Sequence, residues 1–189
     1  MNRHRFNVVM NTEFIPIVPR SGLYLQRYGE AQETRFAGLF RDTWRRLPLW
    51  ARRSMLKHWR RLSPTEVVGA PPGFVWHTPT IQCVEWSENL WMDDGANALG
   101  ACGLAGTSLT FWSKAVAVMP DSIVCELIAH ELGHVFLRAA GVPLDNFTEE
   151  FEVEELLYHS WGCDPDARDK WKHENRELFV SLDREETAA

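Results

Sequence analysis

The sequence predicts an α+β fold, and three patterns along the chain indicate it. Apolar residues recur at three- and four-residue spacing between residues 30 and 62, which is typical of amphipathic helices. Short β-rich stretches follow between residues 74 and 119. From Asp121 a helical pattern runs without proline or glycine as far as Gly133. A chain of 189 residues suits one compact unit with a hydrophobic core of its own.

Residues 1–62 are expected to form a lead-in followed by a pair of basic helices. The first 29 residues hold several prolines and glycines, so we expect an irregular segment with one short strand. Pro48 should divide the helical pattern into two helices, because its ring clashes with the preceding turn. The expected outer faces of these helices carry Arg45, Arg46, Arg52, Arg53, Lys57, Arg60 and Arg61.

Residues 63–189 are expected to form the second part of the molecule, after a Pro/Gly-rich connection over residues 63–73. Strands are predicted at residues 74–77, 80–86, 107–112 and 115–119. A helix should follow, with Asp121 as its N-cap and Gly141 as the residue that ends it. Two more helices are predicted, one from near residues 145–148 to Gly162 and one over residues 167–179.

Charge is distributed unevenly along the chain. Residues 1–62 hold 13 Lys/Arg against 4 Asp/Glu, a net of +9, and the rest hold 7 against 22, a net of −15. The basic part could contact nucleic acid or an acidic partner, or it could pack against the acidic half of its own chain. We favour packing within the chain.

The composition also bears on the compartment. No run of about 18 apolar residues is present, so we expect no membrane span. The apolar stretch near Met1 is too short for a signal peptide. Four widely spaced cysteines are expected to be reduced: Cys83, Cys102, Cys125 and Cys163. We therefore expect an intracellular, cytoplasmic protein.

The clearest chemical motif lies on the helix predicted to begin near Asp121. His130 and His134 are four residues apart, so their imidazoles project from one face about one turn apart. Two neutral imidazoles so placed can occupy two corners of a zinc tetrahedron. Glu131 lies at the edge of the same face, where it can act on a water molecule as a general base without binding the metal. The motif predicts one zinc ion (Zn2+) and hydrolytic chemistry.

The residues around this motif favour a buried site. The helix is apolar on nearly all sides, and burying two histidines and a glutamate without partners is costly. Gly133 costs about 1 kcal/mol in a helix interior. We expect its missing side chain to let another backbone or a substrate come close.

A third protein ligand is needed, and the acidic run at residues 148–155 can supply it. Glu150 and Glu154 are four residues apart on one helix face, so one can bind zinc while the other hydrogen-bonds a histidine ligand. The residues left on the outer, solvated face are expected to be Glu149, Glu152 and Glu155.

These segments resemble a known family, the gluzincin-type zinc metallopeptidases, and in particular the small ImmA/IrrE-like and phage-borne members. The resemblance is carried by Ile128-Ala129-His130-Glu131-Leu132-Gly133-His134-Val135, by the acidic run after Glu150 and by Trp161-Gly162. It covers roughly residues 115–163. It implies that residues 63–189 form a zincin-like core, with a small mixed or antiparallel sheet, an active-site helix and a glutamate helix. It also implies Glu150 as third ligand and Glu154 as supporting carboxylate, with Val153 where the family has alanine; Glu154 stays open as the alternative third ligand.

Motif and resemblance together predict a zinc metalloendopeptidase that hydrolyses a protein or peptide substrate. Either strand 107–112 or strand 115–119 could pair with an extended substrate. An oxyanion stabiliser is expected, and the candidates are Tyr158, His159 and His173. The alternative is a regulatory or nucleic-acid-associated protein of a mobile element, with a metal-stabilised zincin-like core. It is motivated by the basic helices at residues 35–61.

Overall fold

A computed structural model describes residues 13–18, 23–27, 32–61, 80–84, 99–103, 106, 108–142 and 146–178. Its strands are β1 (Glu13–Val18), β2 (Leu23–Arg27), β3 (Thr80–Val84), β4 (Gly100–Cys102) and β5 (Ser108–Trp112). Its helices are α1 (Gln32–Arg46), α2 (Leu49–Arg61), α3 (Ser113–Val118), α4 (Asp121–Ala140), α5 (Asn146–Leu156) and α6 (Pro165–Glu174). A π-helical turn, Leu157–Trp161, extends α5. The fold is mostly helical with one sheet, as the predicted α+β class requires.

The sheet is mixed and has the strand order β1-β2-β3-β5-β4. The inner pairs β2–β3 and β3–β5 are parallel, and the outer pairs β1–β2 and β4–β5 are antiparallel. The prediction of one strand in the lead-in is wrong, because β1 and β2 form an antiparallel pair there. Pro16 is tolerated in β1 because this strand lies at an edge of the sheet and its pairing is irregular beside the proline.

Helices α1 and α2 are separated at Pro48, as predicted. Their apolar faces are buried against the rest of the molecule, and the indole rings of Trp44 and Trp59 stack at 5.7 Å between centroids. The indole N–H of Trp59 donates to the carbonyl of Gly106 at 3.0 Å. This bond ties the helical pair to the turn that precedes β5.

The segment predicted as a strand at residues 115–119 is instead the helix α3, and that prediction is wrong. Helix α3 follows directly after Trp112, the last residue of β5. Ala115, Val116 and Met119 are buried while Val118 is exposed, which is the spacing of a helix and not of a strand. The strands predicted at residues 80–86 and 107–112 are confirmed where they are described, and the one at 74–77 lies outside the described residues.

Helix α4 ends where the sequence predicts, with Gly141 closing it at a left-handed φ of 72°, and it begins one residue earlier than predicted. Asp121 is not the N-cap, because Pro120 occupies that position and Asp121 lies in the first turn. Its carboxylate instead accepts from Arg35 of α1 at 2.6 and 2.9 Å. The same guanidinium donates to the carbonyls of Val116 and Met119 at 2.7 Å each.

Helix α5 begins at Asn146, within the predicted window, and its π-helical extension ends before Gly162, whose φ is 66°. Helix α6 begins at Pro165, two residues before its predicted start, with the Asp164 side chain accepting from the N–H of Ala167. Among the described residues, no helix combines the length and apolarity that crossing a bilayer requires.

Candidate metal centre

The centre is built on the middle of α4, where both predicted histidines are buried. His130 and His134 lie on one face, one turn apart, and their Nε2 atoms are 3.2 Å from each other. They are held there because α4 is surrounded by the core on most sides, with Ile128, Leu132 and Val135 packed beside them. Because their neighbours on α4 are apolar, the two imidazoles make their polar contacts with each other and with helix α5.

Helix α5 brings one carboxylate to this pair of nitrogens. Glu150 Oε2 lies 3.2 Å from His130 Nε2, and Glu150 Oε1 lies 3.4 Å from His134 Nε2. The Glu150 side chain remains 49% exposed, so this side of the cluster opens to solvent. Among the described residues, His130, His134 and Glu150 form the one group of three or more His, Cys, Asp or Glu side chains that could hold a metal ion.

The three donor atoms match the requirements of zinc. Two ligand atoms that each lie about 2.0–2.1 Å from zinc in a tetrahedron are about 3.3–3.4 Å apart. The two histidine nitrogens are 3.2 Å apart, Glu150 Oε2 is 3.2 Å from His130 Nε2, and the other oxygen, Oε1, is 3.4 Å from His134 Nε2. Taking one ligand atom from each residue, all three lie within 4.8 Å of one another. Two imidazole nitrogens and a carboxylate oxygen are also donors that zinc prefers, and three protein ligands leave a fourth position open. The residues therefore fit one zinc ion.

Glu131 lies beside this cluster but is not part of it. Its side chain is 3% exposed and packs against β4, where a Cβ added to Gly100 would stand 2.8 Å from Glu131 Oε1. A side chain at position 100 would therefore displace the carboxylate. Burial raises the pKa of Glu131 to about 8, and the negative charge of Glu150 adds to the rise. Near neutral pH this group can both hold and release a proton.

The ligand side chains are in the charge states that metal binding requires. Burial lowers the pKa of His130 to about 4, so its imidazole is neutral at neutral pH. The hydrogen bond with His130 lowers the pKa of Glu150 to about 2, so its carboxylate is ionised. Neutral imidazoles and an ionised carboxylate are the forms that bind a metal ion.

Glu154 occupies a different environment from Glu150. Its Oε1 accepts from Arg168 of α6 at 3.2 Å, and burial raises the pKa of Glu154 above its usual value. Glu154 is not in the three-residue cluster, and no described contact joins it to His130 or His134. The structure thus brings the first of the two predicted third ligands to the histidines and pairs the second with an arginine.

Glu149 was expected on the solvated face of α5, and this expectation is wrong. It is 8% exposed, and its Oε1 lies 2.7 Å from Nδ1 of His134. The buried stripe of α5 and its extension runs through residues 149, 153, 157 and 161 at four-residue spacing. That spacing is present in the sequence, since Val153, Leu157 and Trp161 are apolar, and it places Glu149 on the core side. Glu152 and Glu155 are exposed, as predicted.

No protein-family model, curated protein or solved structure matches this chain. The chemistry that the centre can perform depends on its own side chains, which are two buried imidazoles, one ionised carboxylate and one buried glutamic acid.

The structure does not place the predicted oxyanion candidates at the centre. Tyr158 and His159 are exposed, and His159 Nε2 pairs with Glu155 at 3.2 Å; His173 is exposed on α6. Sequence reasoning passed over Arg168, which is buried on α6. Burial and Glu150 raise the pKa of Glu131, and the positive charge of Arg168 partly opposes this rise. A lone arginine in a charged helix carries no pattern that could have singled it out.

Proposed function

We propose that this chain is a zinc-dependent metallopeptidase with a zincin-like core. One zinc ion would be held by His130, His134 and Glu150, and Glu131 would act as the general base. The observation that carries the proposal is the convergence of three metal-binding atoms from two helices beside a buried glutamic acid on the same helix. The resemblance of residues 115–163 to gluzincins, which is carried by the same histidines and glutamates, points to the same function.

The roles of the side chains follow from their charge states. His130 and His134 are on a rigid, buried helix and hold their nitrogens in a fixed arrangement. Glu150 is ionised and contributes the negative charge that a divalent cation needs. When bound, a zinc ion would polarise a substrate carbonyl and acidify a water molecule.

Glu131 carries the proton in this scheme. Its carboxylate accepts a proton from the attacking water and then donates it to the nitrogen of the leaving amine. Without a metal, burial raises the pKa of Glu131 to about 8; the positive charge of a bound cation would favour the ionised form, which accepts the proton. Its burial keeps bulk water away from the carboxylate.

The strand that would bind an extended substrate is not one of the two predicted from the sequence. Strand β5 lies inside the sheet and residues 115–119 form α3, so neither can accept another strand. Strand β4 is at the edge of the sheet, and its Gly100 lies against Glu131. A peptide added alongside β4 by backbone hydrogen bonds would lie next to the general base.

The Glu131→Gln variant tests the proposal. Gln cannot accept the proton, so cleavage should fall by about 10²–10⁴-fold while zinc binding stays near the wild-type value. Turnover is measured on a peptide library with cleavage sites identified by mass spectrometry, and zinc is measured on the same samples. Glu152→Gln is the matched control, since it makes the same chemical change on the exposed face of α5. Undiminished cleavage by Glu131→Gln would falsify the assigned role.

A further inference from the structure

The second ring nitrogen of each histidine has a different environment. Nδ1 of His134 lies 2.7 Å from Oε1 of Glu149, and both side chains are buried. Nδ1 of His130 is buried without a hydrogen-bond partner among the described residues. Among the described residues, a carboxylate therefore holds Nδ1 of His134 but not Nδ1 of His130.

This contact fixes which nitrogen of His134 carries the proton. An ionised carboxylate can only accept hydrogen bonds, so Nδ1 must donate its N–H to Glu149. The proton on Nδ1 leaves Nε2 with a free lone pair. Nε2 is the atom that faces His130 and Glu150, and a free lone pair is what a metal ligand needs.

Glu149 is itself held by a second residue of α4. Nη1 of Arg138 lies 2.7 Å from the same Oε1 of Glu149, and it also donates to Sγ of Cys102 at 3.3 Å. Arg138 follows His134 by four residues, so both project toward Glu149 from one face of α4. Cys102 lies in β4, the strand whose Gly100 packs against Glu131.

We propose that Glu149 is a positioning residue for His134, and that Arg138 holds the Glu149 carboxylate in place. The pair sets the His134 tautomer and the direction of its ring before any metal arrives. Through Cys102, it also links the histidine to the edge strand next to the general base. The inference rests on the proposed zinc site for its consequence, but the hydrogen bond itself requires no metal.

The first test reads the tautomer in the metal-free protein by long-range ¹⁵N NMR of the imidazoles. At pH 8 an imidazole is ordinarily neutral. Wild-type His134 should then be in the Nδ1–H form, and Glu149→Ala should mix it with the Nε2–H form. Glu152→Ala, an alanine substitution at an exposed position of the same helix, should leave the spectrum unchanged. A wild-type Nε2–H tautomer, or no change in Glu149→Ala, overturns the proposal.

The second test measures zinc affinity by competition with a chelator. Glu149→Ala should weaken binding by about 10–100-fold. Glu149→Gln keeps an oxygen acceptor and should recover part of this loss, whereas Glu152→Gln should bind as tightly as wild type. Thermal unfolding of the metal-free variants separates positioning from folding: a zinc affinity that falls only in proportion to lost stability overturns the proposal. Wild-type protein that binds no zinc overturns the proposed function, and the tautomer measurement then still decides the role of Glu149.

Discussion

Gly133 lies between His130 and His134, at a point where Val153 of α5 packs against α4. A Cβ added there would stand 2.8 Å from Cγ1 of Val153, closer than real Cβ atoms approach. The sequence predicts that the missing side chain admits a backbone or a substrate; the structure shows a neighbouring side chain there instead. The missing side chain of Gly133 thus leaves room for Val153, and this contact limits how closely α5 can approach α4.

Replacing Gly133 with alanine should therefore push α5 away from α4. Overpacking costs about 1–3 kcal/mol, and the better helix propensity of alanine offsets about 1 kcal/mol of it. We expect a modest loss of stability in urea unfolding and a clear loss of zinc affinity, because the ligands come from both helices.

Two further variants show whether that contact is the cause. Val153→Ala in the Gly133→Ala background should restore zinc binding, since the methyl groups in the way are removed. Gly38→Ala in α1, where a Cβ would meet nothing within 4 Å, should be neutral or stabilising. A Gly133→Ala protein with wild-type zinc affinity would show that the helix separation does not control the site.

At the same scale, the sequence predicts one half of the centre better than the other. The positions of His130, Glu131 and His134 follow from spacing along a single helix, where geometry is local. The third ligand depends on which face of α5 meets α4, and that is decided by tertiary packing. The spacing of the glutamates alone does not distinguish Glu150 from Glu154 as the third ligand. The apolar residues that continue from Val153 at four-residue spacing show which face of α5 is buried, and this face includes Glu149.

At the scale of elements, the helices that are bounded by a proline or a glycine were predicted best. Pro48 separates α1 from α2, and Gly141 and Gly162 end helices with positive φ values. These signals depend on the conformational preferences of single residues, so they can be read from the sequence without knowledge of the tertiary structure. The start of α4 was missed by one position because Pro120 also fits there, and the carboxylate of Asp121 is engaged by Arg35.

The strands were predicted less well, because an apolar segment does not indicate which other segment it pairs with. Residues 115–119 have the composition of a strand but lie in and just after α3, where Ala115, Val116 and Met119 are buried at helical spacing. In the lead-in, two strands form where one was expected, because β2 pairs with both β1 and β3. Whether a stretch becomes a strand depends on a neighbour that lies far away in the sequence.

At the scale of the whole molecule, the N-terminal segment and the rest of the chain share one sheet and one core. Strand β2 pairs with β3, and buried residues of α1 and α2 belong to the same cluster as those of α4. The favoured interpretation of the charge, that the basic part packs on the acidic part, has a clear instance in Arg35 and Asp121. Other basic side chains of α2 remain exposed and have no such partner among the described residues: Arg53, Lys57 and Arg61.

This exposed face of α2 keeps the nucleic-acid hypothesis open. The helix has no acidic residue, and its exposed cations fall on one face. Trp44 and Trp59 are buried, but Trp50 at the start of α2 is 51% exposed, with its ring edge-on to Phe136, so this face offers one indole beside its cations. We expect weak binding to duplex DNA at low salt, with a slope of log affinity against log salt of about −2.7 for three phosphate contacts.

A charge-matched pair of variants tests this expectation. Arg53→Glu with Lys57→Glu should abolish the binding, whereas Lys170→Glu with Lys172→Glu on α6 changes the net charge equally and should not. Fluorescence anisotropy at two salt concentrations measures both. The hypothesis fails if wild type does not bind at low salt or if the two double variants lose binding alike.

The central claim is that two imidazoles of α4 and the carboxylate of Glu150 hold one zinc ion. Metal analysis of the purified protein tests it most directly, on wild type and on His134→Ala, Glu150→Ala and Glu154→Ala. We predict one zinc per chain in wild type, loss of zinc in the His134 and Glu150 variants, and retention when Glu154 is replaced. A wild-type chain without zinc, or a Glu150→Ala chain that binds it as tightly as wild type, would contradict the account.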